Sequence, residues 1–269
     1  MTRLRICRGN QDVQYIKYEM QVVKEKFMKL EVKNINAAYG DNEVLQDINI
    51  YMNGGEFISL VGTSGVGKTT LFNIIAGLIM PTDGNILLDG ENITGKTGFV
   101  GYMLQKDMLL PYKTVIDNIA LPIVLGKENK KSARQKVMPY LEEFGLKGYE
   151  YKYPASLSGG MRQRAAFLRT YMQKKQIMLL DEPFSAIDSI TRTNLHEWYS
   201  NIAKKHKLST ILITHDIEEA IALSDRVYIM SGKPGRIKGE LRIVRQGNLG
   251  EFLLSDEFLN YKRQILDML

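Results

Sequence analysis

The sequence predicts an α/β protein built around a mostly parallel β-sheet. Short apolar runs alternate with segments of helical periodicity, and a glycine-rich loop joins one such run to a helix. A later apolar run ends in two adjacent carboxylates. The 269 residues suffice for one sizeable domain, or for a core with an inserted lobe. A hydrophobic content of 44% and a charged content of 25% are those of an ordinary globular protein.

The N-terminal segment differs from the rest of the chain in its charge. Residues 1–27 hold six basic and three acidic side chains, a net charge of +3 out of the chain's +6. Since the remainder is only mildly basic, the composition gives nucleic-acid binding little support, and we expect no such partner. An orderly strand pattern starts near Met28. We expect residues 1–27 to be an extension before a native start at Met28, or else an authentic N-terminal helix.

Targeting features favour a location in the cytosol. The N-terminus lacks the apolar core of a signal peptide. No apolar run approaches the roughly 18 residues that a membrane-spanning helix needs. The single cysteine, Cys7, excludes an intramolecular disulfide.

The first third of the chain is predicted to contain strands and one helix. In residues 29–61, apolar side chains alternate with more polar ones, and Phe57–Val61 is apolar enough for a strand buried on both faces. From Lys68 onward, apolar residues follow the helical i, i+3, i+4, i+7 spacing. A turn at 81–84 precedes a further strand, "NILLDG".

Helix signals and charge dominate residues 106–172, and strand-like runs return afterwards. The basic run "GKENKKSARQK" is best interpreted as a solvated helix start, with a binding patch as the alternative. Strands are predicted at 177–183, 210–216 and 226–232. The spacing of apolar residues predicts a packed C-terminal helix over 251–269.

The glycine-rich loop fits the pattern G-x-x-x-x-G-K-[ST], which binds polyphosphate. Glycines let backbone N–H groups close around oxyanions, and the following helix directs its positive end to the same phosphates. Lys68 is expected to reach the β- and γ-phosphates, and the Thr69 hydroxyl is expected to ligate Mg²⁺. The predicted phosphate-binding residues are Gly62, Thr63, Ser64, Gly65, Val66, Gly67, Lys68, Thr69 and Thr70. This motif alone fits a kinase, a GTPase or many ATPases.

"QIMLLDEP" places two carboxylates at the end of an apolar strand. In a parallel sheet that end borders the ligand crevice, so Asp181 is suited to hold Mg²⁺ and Glu182 to act as general base toward water. An exposed turn after a strand is the alternative. The sequence has no N-K-x-D guanine-reading tetrapeptide, which disfavours a GTPase.

A second oxyanion-binding helix start narrows the class of protein. In "LSGGMRQR", Ser158, Gly159 and Gly160 open a predicted helix with a hydroxyl and two bare backbones. With this segment, the chain from about Met28 to "SGKPGRI" resembles the nucleotide-binding subunit of an ABC transporter. The motifs follow the family order: Tyr39, the phosphate loop at 62–69, Gln105, the signature at 157–161, the carboxylate strand at 177–182, "SAIDS" at 185–189, and His215.

The resemblance implies a fold and a set of residue roles. The fold would be a RecA-like P-loop NTPase core with a mixed sheet, an antiparallel β subdomain and an inserted α-helical subdomain at about 103–172, all within 28–250. Tyr39 would stack on adenine, and Gln105 would contact Mg²⁺ and the attacking water. His215 would contact the γ-phosphate, and Asp188 would communicate across a dimer. Met161 departs from the commonest signature, which has Gln there, but the resemblance implies that the phosphate contacts would come from Ser158 and backbone.

The resemblance also implies partners and a site of action. Two copies would sandwich two ATP molecules, at the cytoplasmic face of the membrane, beneath separate transmembrane permeases. Leu109, Leu110 and Tyr112 could dock the permease or pack in the core. "LLPYKTVIDNIALP", "SAIDSITR" and "SGKPGRI" are similar to segments of importers for nitrate, sulfonates, taurine and thiamine precursors, which use an external solute-binding protein. A soluble ABC ATPase of iron–sulfur assembly or DNA repair, an ABC-type translation factor and an exporter ATPase are the alternatives.

Overall fold

The structure is a computed structural model that describes residues 29–185, 187–245, 247 and 249–269. The expectations for residues 1–27 and for a native start at Met28 lie outside the described residues. The strands are β1 (Lys29–Tyr39), β2 (Asn42–Asn53), β3 (Phe57–Gly62), β4 (Asp83–Leu88), β5 (Glu91–Asn92), β6 (Val100–Met103), β7 (Ile177–Asp181), β8 (Ser209–Thr214), β9 (Arg226–Ser231) and β10 (Arg236–Arg242).

Helices separate most of these strands. They are α1 (Lys68–Ile75), α2 (Val115–Ile119), α3 (Leu121–Leu125), α4 (Lys130–Leu141), α5 (Gly159–Tyr171), α6 (Ser189–Lys205), α7 (Ile217–Leu223), α8 (Leu249–Leu253) and α9 (Asp256–Met268), with a 3-10 turn at Pro154–Ser156.

A six-stranded sheet forms the centre of the fold, in the order β10-β9-β3-β8-β7-β6. Its pairs from β9 to β6 are parallel, and β10 joins the edge antiparallel to β9. β3, β7 and β8 are buried along their whole length, as expected for strands covered on both faces. The predicted mixed sheet of an α/β fold is therefore confirmed.

A second, four-stranded antiparallel sheet has the order β2-β1-β4-β5. Its apolar side chains share one buried cluster with those of α1 and of the central sheet, including Leu30, Ile48, Phe72 and Leu179. The antiparallel β region predicted for this part of the chain is confirmed.

Helices α2 to α5 lie between β6 and β7 in the chain, in the region predicted to be helical. They are held to α6 by aromatic packing, since the ring of Phe144 lies 5.9 Å from Phe167 and 5.4 Å from Trp198 between centroids.

The C-terminal end of the chain differs from the single helix expected over 251–269. α8 ends at Leu253, and Ser255 caps a new helix, because its side chain accepts a hydrogen bond from the N–H of Phe258. Within the described residues, none of the helices combines the length and apolar character that a membrane span requires.

Candidate functional site

The candidate site lies at the carboxyl ends of three neighbouring strands. Because the sheet order is β3-β8-β7 and the pairing is parallel, Gly62, Thr214 and Asp181 end their strands at the same edge. The residues that follow each strand therefore converge on one crevice.

The loop from Gly62 to Lys68 requires its glycines for two physical reasons. Gly65 and Gly67 have φ values of +80° and +103°, a backbone region that residues with a Cβ atom rarely adopt. A Cβ on Gly62 would lie 2.3 Å from the carbonyl oxygen of Met230, so no larger residue fits there. Val66, predicted as a phosphate-binding residue, buries its side chain, so only its backbone is available to a ligand.

Lys68 is the first residue of α1, and its ammonium group is held inside the loop. Nζ donates hydrogen bonds to the carbonyl oxygens of Gly62 at 2.7 Å and Thr63 at 2.9 Å. Burial lowers the pKa of Lys68, while the negative charges of Glu182 and Asp181 act in the opposite direction. A buried cation with two nearby carboxylates and a glycine-lined loop is a suitable place for an anion and its counterion.

Asp181 ends β7 and accepts two hydrogen bonds on one oxygen. The Thr69 hydroxyl and the Tyr102 hydroxyl each donate to its Oδ2 at 3.3 Å. Burial raises the pKa of Asp181, and these two hydrogen bonds oppose the rise. Burial and the Asp181 charge raise the pKa of Tyr102, which therefore remains a proton donor. Sequence reasoning missed Tyr102, because its approach to Asp181 depends on the pairing of β6 with β7, which no sequence motif records.

The Glu182 side chain contacts residues from two other segments of the chain, Gln105 and His215. Its Oε2 accepts a hydrogen bond from Gln105 Nε2 at 3.1 Å and lies 3.2 Å from His215 Nδ1. Its backbone N–H donates to the carbonyl of Ile213 at 2.9 Å, which ties it to β8. A carboxylate with an amide and an imidazole on the same oxygen can orient a water molecule and accept its proton.

The signature residues form a separate group from the phosphate loop. Ser158 caps α5, its Oγ accepting from the Met161 N–H at 3.3 Å. Gly160 packs against the start of α6, where a Cβ on it would lie 3.1 Å from the Thr191 methyl group. Among the described residues, no hydrogen bond joins Ser158 to the phosphate loop.

Tyr39 lies near the phosphate loop, and Asp188 lies near the signature residues. Tyr39 ends β1, about half exposed, and the adjoining strand β2 passes the phosphate loop, with Leu45 beside Gly67. The Asp188 side chain caps α6 by accepting a hydrogen bond from the Thr191 N–H at 3.0 Å. The structure thus brings Asp188 next to the signature glycines.

Two arginines of α5 hold the segment that follows Gln105, a link that sequence reasoning missed. Arg169 donates to the carbonyl oxygens of Asp107 and Met108 at 2.5 Å and 2.7 Å. Arg162 lies 3.3 Å from the Asp107 carboxylate. Helix α5 therefore connects the signature at its start to the Gln105 segment along its length.

The residues present fit a polyphosphate with a single Mg²⁺ ion. The Thr69 hydroxyl and the Asp181 carboxylate supply adjacent oxygen atoms, which Mg²⁺ prefers. In the part of the chain that the structure describes, no three His, Cys, Asp or Glu side chains cluster as a protein-only metal site.

Comparison with known proteins identifies relatives over most of the chain. Residues 45–185 match the family model described as ABC transporter. The aliphatic sulfonates import ATP-binding protein SsuB of Bacillus cereus is 43% identical over 198 residues, 74% of this chain and 78% of that protein. The nitrate import ATP-binding protein NrtD of Synechocystis is 38% identical over 225 residues, 82% of this chain and 85% of that protein.

A further relative and a solved structure extend this likeness. The formylaminopyrimidine import ATP-binding protein ThiZ of Halalkalibacterium halodurans is 39% identical over 206 residues, 76% of this chain and 80% of that protein. A dimeric post-hydrolysis ATP-binding cassette, bound to ADP and Pi, is 27% identical with a TM-score of 0.69. The match covers 81% of this chain and 100% of the cassette chain.

Proposed function

The chain belongs to the ABC transporter family, and we propose that it is the ATP-hydrolysing subunit of an importer for a small solute. It binds ATP and is an ATPase, as the family assignment shows. The observation that supports import is that relatives matching three quarters or more of their own length are named for the import of sulfonates, nitrate and formylaminopyrimidine. The solute class is therefore a small polar or anionic molecule, and the chain acts at the cytoplasmic face of the membrane.

Hydrolysis follows from the arrangement around Glu182. The phosphate loop and Lys68 hold the β- and γ-phosphates, and the Glu182 carboxylate accepts a proton from water. The water oxygen bonds to the γ-phosphorus while the bond to the β–γ bridging oxygen breaks, giving ADP and inorganic phosphate. Gln105 and His215 orient the water and the carboxylate. Bound Mg²⁺, with Thr69 and Asp181 as its protein oxygens, would neutralise charge on the phosphates.

Two copies of the chain are needed to complete each ATP site. Ser158, Gly159 and Gly160 form a capped helix start, which suits an oxyanion, and none of the hydrogen bonds described for Ser158 reaches the chain's own phosphate loop. A second copy places this helix start against the γ-phosphate that the first copy holds. The dimeric cassette of known structure supports this arrangement.

A cleft beside the Gln105 segment is the proposed permease-docking surface. It has a volume of about 530 Å³ and is lined by Tyr102, Met108, Leu121, Pro122, Leu125, Arg169, Thr170, Gln173 and Lys175. Leu125 and Met108 are 75% and 56% exposed. Of the residues expected either to dock or to pack, Leu109 is buried in the core and Tyr112 is exposed. Arg169 lies in this cleft and holds the segment after Gln105, so a docked helix would be connected to the catalytic site.

Capture from native membranes tests the importer proposal. Used as bait, the chain should retain a permease and, through it, an external solute-binding protein, identified by mass spectrometry. Leu125→Asp should lose this permease and keep basal ATPase activity. The matched control is Leu254→Asp, at a 90% exposed leucine outside the cleft. It should retain the permease.

Two results would contradict the proposal. Repair or iron–sulfur assembly proteins without any permease would make the chain a soluble ABC ATPase. A permease without a solute-binding partner would favour an exporter.

A further inference from the structure

His215 is not held in place by burial of its own side chain. The imidazole is 57% exposed, and its contact with the catalytic group is the 3.2 Å approach of Nδ1 to Glu182 Oε2. An exposed side chain keeps such a distance only if the backbone that carries it is fixed. The residues on both sides of His215, Thr214 and Asp216, therefore determine where the imidazole lies.

Both neighbours of His215 are bound to one residue, Glu219, in the first turn of α7. The Thr214 hydroxyl donates a hydrogen bond to Glu219 Oε2. The Glu219 N–H donates to Asp216 Oδ1 at 3.1 Å, and the Asp216 N–H donates to Thr214 Oγ1 at 3.0 Å. These three bonds close a ring around the backbone that carries His215.

Glu219 is a buried carboxylate, with a side chain only 5% exposed, and it needs a partner inside the protein. His196 of α6 supplies that partner, with Nε2 at 2.9 Å from Glu219 Oε1. The same imidazole packs edge-on against the ring of Phe184, with centroids 4.8 Å apart and an interplanar angle of 76°. Phe184 follows Glu182 by two residues, so His196 contacts the segment of Glu182 and, through Glu219, that of His215.

We propose that Glu219 and His196 are positioning residues that hold His215 against Glu182. Neither residue is among those placed at the phosphates, so both act through His215. The inference rests on the catalytic roles proposed above for Glu182 and His215. Loss of the pair lets the His215 segment move and lowers the rate of hydrolysis, while ATP binding at the phosphate loop is unaffected.

A double-mutant cycle on the full chain tests this proposal. Glu219→Ala should lower the single-turnover rate of ATP hydrolysis about tenfold, as expected for loss of a charged hydrogen bond, and leave the Kd for ATP unchanged. In a His215→Ala background, the same change should lower the rate less than twofold, because its target is already absent. Equal losses in both backgrounds, or no loss in the otherwise native chain, would overturn the proposal.

Two further variants keep the test specific. Glu218→Ala changes the neighbouring residue of α7, which forms an exposed ion pair with Lys262 at 2.6 Å, and should leave the rate unchanged. If Glu219→Ala does not fold, His196→Ala is used in the same cycle with the same expectations. A normal rate in His215→Ala alone would instead refute the catalytic role of His215, which separates that failure from failure of the positioning pair.

Discussion

Glu182 lies in a backbone conformation that few residues other than glycine adopt, with a φ of +43°. A strained backbone conformation persists only where neighbouring contacts stabilise it. Here the Glu182 N–H donates a hydrogen bond to the carbonyl of Ile213 in the adjacent strand. The conformation turns the carboxylate toward His215 and Gln105, which come from two other segments. Local backbone strain is thus used to assemble the proposed catalytic group.

The environment of Lys68 also suits it to bind a phosphate. Its Nζ donates hydrogen bonds to two loop carbonyls. We expect Lys68→Ala to weaken ATP binding by about 10- to 100-fold, because a charge-assisted phosphate contact is lost. The measurement is a titration of the purified protein with a fluorescent ATP analogue. Lys96→Ala, at an exposed lysine paired with Glu91, is the control and should bind normally. Normal ATP binding by Lys68→Ala would refute the phosphate-loop assignment.

Among the secondary-structure elements, the buried strands and the helix after the phosphate loop could be predicted because their apolar patterns are local. The break between α8 and α9 was not predicted. Its cause, a hydrogen bond from the Phe258 N–H to Ser255, is a single short contact within an otherwise continuous helical pattern.

The contacts that sequence reasoning missed connect residues far apart in the chain. Tyr102 reaches Asp181 across 79 positions, and Arg169 reaches Asp107 across 62. Such pairings depend on sheet order and helix packing, which no motif in the sequence records. Glu219 differs from these residues because its contact is local in the sequence. It lies four residues after His215, and residues four apart are neighbours on a helix.

Helix α2 is fixed by a partly buried carboxylate, that of Asp117, in its first turn. Hydrogen bonds from Arg134, and then from Lys130, hold the pKa of Asp117 well below its usual value. The stabilisation is therefore present above the unfolded-state pKa of about 4 and is lost as the pH falls through the folded-state pKa.

We expect Asp117→Asn to lower the free energy of unfolding by about 1–3 kcal/mol at pH 7, since charged hydrogen bonds are lost. The difference from the native protein should shrink below about pH 4. Urea unfolding at both pH values measures it. An equal difference at pH 7 and pH 3 would show that the Asp117 charge is not responsible.

The two sheets are joined by a buried charge, that of Arg226. Arg226 at the start of β9 pairs with Glu56 at 2.7 Å and Glu240 at 3.0 Å, and donates to the Tyr51 carbonyl of β2 at 2.7 Å. Its side chain is only 4% exposed. We expect Arg226→Ala to destabilise the fold by about 3–5 kcal/mol, because it leaves Glu56 without its buried partner. Chemical unfolding checks this value, and a loss below about 1 kcal/mol would contradict it.

At the scale of the whole molecule, the proposed ATP site has two parts. One half is the phosphate loop with Asp181, Glu182 and His215, and the other is the capped start of α5. Helix α5 also holds the Gln105 segment through Arg162 and Arg169, beside the proposed docking cleft. We therefore propose that helix α5 links ATP binding, dimer closure and permease contact.

The composite ATP site is tested most directly by the association state of Glu182→Gln with saturating ATP and Mg²⁺. Glutamine cannot accept the proton from water, so the variant should bind ATP and hydrolyse it very slowly. Analytical ultracentrifugation should then show a dimer that contains two ATP molecules. The matched control, Glu182→Gln combined with Ser158→Arg, should remain monomeric because the signature surface is blocked. A Glu182→Gln variant that binds ATP and stays monomeric would contradict the shared site.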